Sequence, residues 1–399
     1  MSDSLITQIK SLSSTFFEEV RGYRRHLHMH PELSNEESAT ADFICMQLDS
    51  MGITYTRNVA GNGVVALIPG EQKSDACFAL RADMDALPIT EKNTVDYCSQ
   101  HPGVMHACGH DVHMSCVLGA AKILMQLRAH FSGTVKLIFQ PSEEKLPGGA
   151  KNMIAAGALN TPDVQGIIGQ HVFTPFHVGT VAFCFGPMMA STDEIYITVN
   201  GKGGHAAYPQ ELKDPVLMSA QLLVALQQLV SREVSPFAPA VLSFGKVQAN
   251  GATNVIPDSV YIEGTLRTLN EALRTQLHAS LERTVHHIVE GFGGTADLRI
   301  ATGYPVLEND EALSRRTYDR AVAYLGEENV IVTTPRMGAE DFAFYAQKIP
   351  ACFYRLGTGN PEKGIVSNIH TPTFDIDEEA MKTGMGLMAW HAISELMPA

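Results

Sequence analysis

Residues 135–171, VKLIFQPSEEKLPGGAKNMIAAGALNTPDVQGIIGQH, contain two apolar runs separated by a short helical segment that follows Gly148. The runs at 135–140 and 167–171 are typical of buried strands. Similar runs occur at 64–68 and 77–81, and one apolar face predicts a helix from about 112 to 127. Strands that alternate with helices predict βαβ units, and therefore an α/β fold with a mixed, largely parallel sheet.

The pattern changes near residue 190. Beyond this point the predicted order is strand, helix, strand, strand, helix, strand, at about 195–199, 214–230, 240–248, 260–269, 271–289 and 296–300. This βαββαβ order predicts a ferredoxin-like α+β domain with an antiparallel sheet. The α/β pattern returns after Tyr304. We therefore predict a discontinuous first domain at 1–190 and 303–399, with a second domain inserted at 191–302.

The composition excludes several classes of function. With 29 Lys+Arg against 43 Asp+Glu, the formal charge of −14 disfavours a nucleic-acid partner and an anionic membrane surface. The 45% of hydrophobic residues and 18% of charged residues are typical of a globular protein with a large core. No targeting segment and no run of about 18 apolar residues is visible, so we expect a cytoplasmic protein without a membrane partner. The odd number of seven cysteines favours reduced thiols.

The densest cluster of chemically active residues is MHACGHDVH, residues 105–113, where the 112–127 helix begins. Cysteine and histidine are common ligands of transition metals, and Cys108 and His110 lie on one short segment that can surround an ion. Gly109 between them permits a tight backbone. The alternative is a histidine-rich surface loop with a buried cysteine.

A second cluster, FQPSEE at 139–144, follows a predicted strand. Open α/β sheets place their sites at such carboxyl ends. Adjacent carboxylates point in different directions, so that one of Glu143 and Glu144 can bind a metal while the other serves as a general base. The alternative is a solvated acidic turn.

Other candidates are single polar residues near strand ends. Asp83 and Asp85 share a face and could orient a histidine ligand, or they could be capping or turn residues. His171 and His370 are lone histidines, which are more often structural than metal-binding. In the second domain, Arg267 could bind a carboxylate with help from a nearby amide, or it could be an exposed sheet residue. The amide is Asn254, and the flexible loop GGHAAYP at 203–209 offers His205 as a titratable donor.

Five stretches of the sequence resemble the M20 metallopeptidase family, and the resemblance covers essentially the whole chain. The resemblance is to the aminoacylase-like branch, which contains hippurate hydrolases, auxin-conjugate hydrolases and N-acetyl-diaminopimelate deacetylases. The matching stretches are RRHLHMHPELS at 24–34, LRADMDALP at 80–88, MHACGHDVH at 105–113, QPSEE at 140–144 and MGAEDF at 337–342.

The resemblance implies a zinc-peptidase-like catalytic domain with two divalent transition-metal ions per subunit, which could be Zn, Mn, Ni or Co. The implied ligands are Cys108, His110, Glu144, His171 and His370. Glu143 matches the catalytic base, and Asp85 matches the aspartate of the broader family's His-x-Asp motif, which the family counts as catalytic. The family's metal-binding histidine of that motif falls at Asp83, so that this branch uses the Cys-x-His pair instead.

The resemblance also implies a role for the inserted domain, as a dimerisation or lid domain. His205 would reach the substrate oxyanion, often from the partner subunit of a homodimer or tetramer. The implied substrate-binding residues are Asn254, Arg267 and Gly338.

The expected function is hydrolysis of the amide bond of a small N-acyl amino acid by metal-activated water, with Glu143 as general base. Two alternatives stay open at this point. One is a dipeptidase or carboxypeptidase of the same family, and the other is a catalytically silent metal- or ligand-binding protein.

Overall fold

The computed structural model describes residues 2–397. Its α-helices are α1 (Ser2–Met29), α2 (Ser38–Ser50), α3 (His110–Gln126), α4 (Gly149–Ala155), α5 (Pro215–Gln228), α6 (Glu271–Gly291), α7 (Glu311–Leu325), α8 (Ala343–Ala346) and α9 (Ala380–Leu396). The first eight strands are β1 (Thr54–Val59), β2 (Gly63–Pro69), β3 (Gln72–Asp83), β4 (Ser132–Gln140), β5 (Gly166–His177), β6 (Val181–Phe183), β7 (Gly186–Met189) and β8 (Asp193–Asn200). The other eight are β9 (Gly204–His205), β10 (Ala240–Ala249), β11 (Val255–Ile256), β12 (Ser259–Thr268), β13 (Thr295–Thr302), β14 (Leu307–Asn309), β15 (Val330–Val332) and β16 (Ala351–Gly359).

The chain divides into two compact units. The first comprises Met1–Gly186, Glu308–Thr334 and Asp341–Ala399, and the second comprises Pro187–Leu307 and Pro335–Glu340. The short segment 335–340, which the sequence analysis assigned to the first domain, therefore clusters with the second unit. Among the helices of residues 2–397, none combines the length and apolar character needed to cross a bilayer.

The first unit contains an eight-stranded sheet in the order β1-β2-β4-β3-β5-β16-β6-β15. The central strands β4, β3, β5 and β16 are parallel to one another, and β15 is parallel to β6. The pairs β1–β2, β2–β4 and β16–β6 are antiparallel. The predicted α/β fold with a mixed, largely parallel sheet is confirmed. Because β3, β4 and β5 are parallel, their carboxyl ends meet at one edge, which is where open α/β sheets place their sites.

The strand and helix sequences explain this sheet. The second half of β3 and most of β4 are buried, which fits their continuous apolar runs. Helix α3 is buried along nearly its whole length and packs with α1 and α9 in one apolar core. The long helix α1 and the edge strand β1 were not predicted.

The second unit contains a four-stranded antiparallel sheet in the order β10-β12-β8-β13, with α5 and α6 between its strands in the chain. Leu222 and Leu226 of α5 share one apolar core with Leu277 and Leu281 of α6. Its elements follow the predicted βαββαβ order.

A buried ion-pair cluster lies at the start of β8 in the second unit. The Asp193 carboxylate accepts hydrogen bonds from Arg274 Nη2 at 2.6 Å and from His278 Nε2 at 2.7 Å. Burial acts to raise the pKa of Asp193, but these two partners lower it overall. The carboxylate therefore stays ionised inside the protein.

Candidate metal centre and active site

The structure brings four predicted metal ligands together around Cys108 in the first unit. Cys108 Sγ lies 3.3 Å from His171 Nε2 and 3.3 Å from His370 Nε2. His370 Nε2 also lies 3.3 Å from Glu144 Oε1. His171 Nδ1 donates to the Val172 carbonyl at 2.8 Å, which leaves the Nε2 lone pair directed at the thiol.

His110 completes this set. Its Nε2 lies 3.9 Å from Glu144 Oε1, and its ring is fully buried. Two groups of ligand atoms, each within 4.8 Å of one another, can be drawn from these five residues, and Cys108 belongs to both. The groups are Cys108, His110, His171 and Cys108, Glu144, His370.

The backbone of the 105–113 loop is shaped by Gly109. Gly109 has φ of 85° at the start of α3, and a Cβ atom there would lie 2.4 Å from Val172 Cγ2. Only glycine allows this close approach. The loop is also tied to His370, whose N–H donates to the Ala107 carbonyl at 2.7 Å. Ligands that are distant in sequence are therefore fixed by backbone contacts.

Arg24 of α1 provides a second tie between the segments that carry ligands. The fully buried Arg24 donates from Nε to Asp111 Oδ2 at 2.9 Å, directly after His110. It also donates from Nη2 to Asp375 Oδ1 at 2.7 Å, in the segment that follows His370. The guanidinium group of Arg24 thus contacts both segments. The stretch 24–34, which carries part of the family resemblance, therefore has a structural role here.

Asp85 lies between the predicted ligand His110 and the turn that carries Glu143 and Glu144. Its carboxylate accepts the N–H groups of Glu143 and Glu144, each at 2.9 Å, and the hydroxyl of Ser34 at 2.6 Å. Its Oδ1 also lies 3.4 Å from His110 Nδ1. These contacts fix the predicted ligand His110 and the turn that carries the predicted base.

Asp83 is held by two neighbours that the sequence analysis did not select. Arg81 Nη1 donates to Asp83 Oδ2 at 2.7 Å, and His113 Nδ1 lies 2.6 Å from Asp83 Oδ1. Because Val172 N–H donates to His113 Nε2 at 2.9 Å, the His113 proton is on Nδ1 and is donated to Asp83. Asp83 Oδ2 also lies 3.7 Å from His110 Nε2. Both Asp83 oxygens are therefore engaged by protein donors.

The electrostatics of the cluster favour a bound cation. Burial alone would lower the pKa of His110, but the carboxylates of Asp83, Asp85 and Glu144 raise it to about 10. Burial, together with Glu144, Glu143 and Asp83, raises the pKa of the Cys108 thiol. The site thus concentrates negative charge in a buried place, and a divalent ion would neutralise it.

The donor atoms fit such ions. His110 Nε2 and Glu144 Oε1 are buried and have no hydrogen-bond partner within residues 2–397, although a buried polar atom normally has one. Thiolate, imidazole and carboxylate together suit Zn, Mn, Ni or Co. The residues present therefore fit the two divalent ions expected from the sequence.

Glu143 lies beside this cluster. Its carboxylate forms a group with His110 and Glu144 in which the ligand atoms are within 4.8 Å of one another, and its side chain is largely buried. Asp341 N–H lies 3.4 Å from Glu143 Oε1. Asp341, which the sequence analysis did not select, accepts from Arg81 Nη2 at 2.8 Å and from Gln140 Nε2 at 2.7 Å.

The remaining predicted residues belong to the second unit. His205 lies on β9, and the Ala206 N–H that follows it donates to the Asn254 carbonyl at 3.1 Å, so these two predicted residues are neighbours. Arg267 lies on β12, and its Nη1 donates to the Leu266 carbonyl at 3.3 Å. Burial lowers the pKa of Arg267. The Gly338 carbonyl accepts the N–H of Ala190 at 2.8 Å.

Comparison with known proteins gives relatives that cover between 76% and 96% of this chain. An N-acyl-L-amino acid amidohydrolase of Geobacillus stearothermophilus is 43% identical over 76% of this chain and 82% of its own. An N-acetyl-L-cysteine deacetylase of Bacillus subtilis is 41% identical over 92% of this chain and 86% of its own. The crystal structure of Bacillus subtilis YXEP, a dinuclear metal binding peptidase from the M20 family, has a TM-score of 0.84 at 35% identity and covers 96% of this chain and 99% of that one. Residues 79–391 match the model of peptidase family M20/M25/M40, and the chain belongs to this family.

Proposed function

We propose that this protein is a metal-dependent amidohydrolase that cleaves the amide bond of N-acyl amino acids, releasing a carboxylic acid and a free amino acid. The observation that carries the proposal is the Glu143 carboxylate beside a cluster of five metal-ligating side chains. The relatives named as N-acyl-L-amino acid amidohydrolase and N-acetyl-L-cysteine deacetylase support this substrate class.

Two divalent ions would be held by Cys108, His110, Glu144, His171 and His370. When bound, they would supply Lewis acidity for the substrate carbonyl and lower the pKa of water. Asp85 orients His110, because its carboxylate faces Nδ1 and leaves Nε2 for the ion.

Glu143 moves the proton in this mechanism. Its carboxylate takes a proton from the attacking water and delivers it to the nitrogen of the leaving amine, so that the base of the first step is the acid of the second. The amides of Glu143 and Glu144 are both held by Asp85, which keeps the carboxylate of the base in place beside the ligand cluster.

The second unit would contribute substrate contacts. We propose that His205 donates a hydrogen bond to the oxyanion, and that Arg267 and Asn254 bind the free carboxylate of the substrate. Gly338 would be a further substrate-binding residue. In this proposal the second unit is a lid and dimerisation domain, and His205 acts in cis or from the partner subunit.

A Glu143→Gln variant tests the central assignment. We expect it to keep two ions per chain by elemental analysis and to lose turnover of N-acetyl and N-benzoyl amino acids by a factor of at least about 100. Chelation should inactivate the wild-type protein, and a divalent transition ion should restore its activity. Turnover near the wild-type rate in Glu143→Gln would contradict the role of the base.

The same assay separates the alternatives. Dipeptides in the substrate panel distinguish an acyl amino acid hydrolase from a dipeptidase or carboxypeptidase, and absence of turnover on every substrate would favour a silent binding protein. Arg267→Ala should raise KM for substrates with a free α-carboxylate while leaving KM for their esters unchanged. An equal rise for both substrates would contradict the carboxylate contact.

The expected homodimer or tetramer is also a proposal. It is supported by an exposed apolar face on α5, where the exposed fractions of Leu217 and Val224 are 53% and 73%. Light scattering coupled to size exclusion should give at least twice the monomer mass, and charged substitutions at these two positions should reduce it. The cytoplasmic location stays a prediction.

A further inference from the structure

Three consecutive backbone N–H groups near the proposed base donate to two buried carboxylates. The N–H groups of Glu143 and Glu144 donate to Asp85, as described above. The N–H of Ser142 donates to Glu37 Oε1 at 2.8 Å. Glu37 is completely buried and directly precedes α2, far from the turn in sequence.

The Ser142 backbone needs this support. Its φ of 57° is in the left-handed region, which is unfavourable for a residue other than glycine and persists only where the surroundings enforce it. The Ser142 hydroxyl lies 3.2 Å from Glu37 Oε1 and accepts the N–H of Asn35 at 2.9 Å. The backbone and side chain of Ser142 are therefore both fixed by contacts with the segment before α2.

The Glu37 side chain is itself held on its other oxygen. Asn62, between β1 and β2, donates from Nδ2 to Glu37 Oε2 at 3.0 Å. Glu37 is thus fixed at one end by the start of a helix and at the other by a loop between two strands. A carboxylate fixed in this way gives the turn an acceptor that does not move.

We propose that Glu37 is a positioning residue for catalysis, because it holds Ser142 in the conformation that directs the Glu143 carboxylate at the substrate. This inference rests on the proposed function of Glu143 as base and proton donor. Glu37 does not touch the ligand cluster. Its effect passes through the hydrogen bonds that the amide and the hydroxyl of Ser142 donate to its carboxylate.

A pair of substitutions separates the hydrogen bond from the charge. Glu37→Leu removes the acceptor and leaves the buried Ser142 N–H without a partner. Glu37→Gln keeps a carbonyl oxygen for Ser142, and a flip of the Asn62 amide provides an acceptor for the new NH2 group. We expect kcat on an N-acyl amino acid to fall about 10- to 100-fold in Glu37→Leu and to stay within about 3-fold of wild type in Glu37→Gln.

Glu32 supplies the matched control. It lies five residues earlier, and its carboxylate accepts the N–H groups of Ala39 and Thr40 at the start of α2 without contacting the 142–144 turn. Glu32→Leu should therefore lower stability by loss of these bonds and leave kcat unchanged. A fall in kcat as large as that of Glu37→Leu would overturn the inference, since loss of α2 packing alone would then explain both.

The decisive measurement compares an amide with the ester that has the same acyl group and an α-hydroxy acid as leaving group. An amine leaves only when protonated, whereas an alkoxide depends less on a proton donor, so a displaced Glu143 should impair the amide more. We expect the ratio of the amide kcat to the ester kcat to fall at least about 5-fold in Glu37→Leu, with KM and the two bound ions unchanged. An unchanged ratio would overturn the inference, because a smaller fraction of folded sites lowers both rates equally.

Hydrogen exchange at the Ser142 amide tests its hydrogen bond to Glu37 without measuring the reaction. Peptides that contain the Ser142 amide should exchange faster in Glu37→Leu than in wild type, and those in Glu37→Gln should not. If wild type hydrolyses no acyl amino acid, the proposed function fails. If wild type is active while exchange at Ser142 and the amide to ester ratio are the same in Glu37→Leu, the inference about Glu37 fails alone.

Discussion

Replacement of Asp85 by asparagine changes a single atom next to the proposed metal centre. Asp85 Oδ1 accepts the N–H of Glu143 and faces His110 Nδ1, and Oδ2 accepts the N–H of Glu144 and the hydroxyl of Ser34. Asparagine offers one acceptor oxygen and one NH2 group. Whichever way the amide is placed, its NH2 group faces a backbone N–H that has lost its acceptor.

The expected loss of metal affinity follows from the loss of one hydrogen bond. A hydrogen bond to a charged acceptor contributes about 1.5–3 kcal/mol. Loss of one such bond lowers the stability of the metal-binding arrangement of the turn or of His110 by that free energy. At about 1.4 kcal/mol per tenfold, this corresponds to about 10- to 100-fold in an equilibrium constant. The same range is found when residues that orient metal ligands are replaced. We therefore expect Asp85→Asn to bind Zn²⁺ or Mn²⁺ about 10- to 100-fold more weakly than wild type.

The assay is competition for the ion with a chromophoric chelator, using metal-stripped protein at constant pH. Asp49→Asn is the matched control, because Asp49 on α2 makes its 3.0 Å contact with the Tyr55 hydroxyl at the surface. This control should bind the ion like wild type. If Asp85→Asn also stayed within about 2-fold of wild type, the argument that Asp85 orients His110 and the 143–144 turn would be refuted.

Three further predictions concern stability, measured as the free energy of unfolding in urea. Arg24→Met leaves the buried Asp111 carboxylate without its guanidinium partner and should lower the free energy of unfolding by about 3–5 kcal/mol. A loss under about 1 kcal/mol would contradict the buried ion pair of Arg24 with Asp111. Gly109→Ala forces a Cβ against Val172 at positive φ and should lower the free energy of unfolding by about 1–3 kcal/mol. An unchanged free energy of unfolding would contradict this close approach. Asp193 has a lowered pKa in the folded protein, so its contribution is complete above its unfolded pKa of about 4 and is lost as pH falls through the lowered value. Asp193→Asn should therefore be less stable than wild type at pH 7, and this difference should shrink below about pH 4.

Local patterns were sufficient for the parallel core of the sheet and for the order of its elements. The runs at 77–81, 135–140 and 167–171 became β3, β4 and β5, because continuous apolar sequence is what a strand covered on both faces requires. The short-range motif at 105–113 also placed Cys108 and His110 on one loop. Strand β1 was missed, since its half-exposed sequence carries a weak signal. Helix α1 was also missed, although its amphipathic pattern is a usable helix signal.

Contacts between distant parts of the chain account for what the sequence could not predict. Arg81 pairs with Asp83 two residues away but also with Asp341, and His113 of α3 accepts an N–H from Val172 of β5. No spacing in the sequence specifies such partners. The one usable signal was an arginine in an otherwise apolar strand, because a buried guanidinium must have a carboxylate partner.

Most buried carboxylates near the site accept hydrogen bonds from protein donors within residues 2–397, whereas Glu144 Oε1 does not. This difference shows where positive charge is missing. Asp83, Asp111 and Asp341 each accept a hydrogen bond from a buried arginine, and Asp85 accepts two backbone N–H groups. A buried charge is stable only with such partners. Glu144 Oε1 and His110 Nε2 differ from these carboxylates, since they have no hydrogen-bond partner in the described part of the chain. They face the same small space as Cys108, and divalent cations there would provide the partners that the protein itself does not supply.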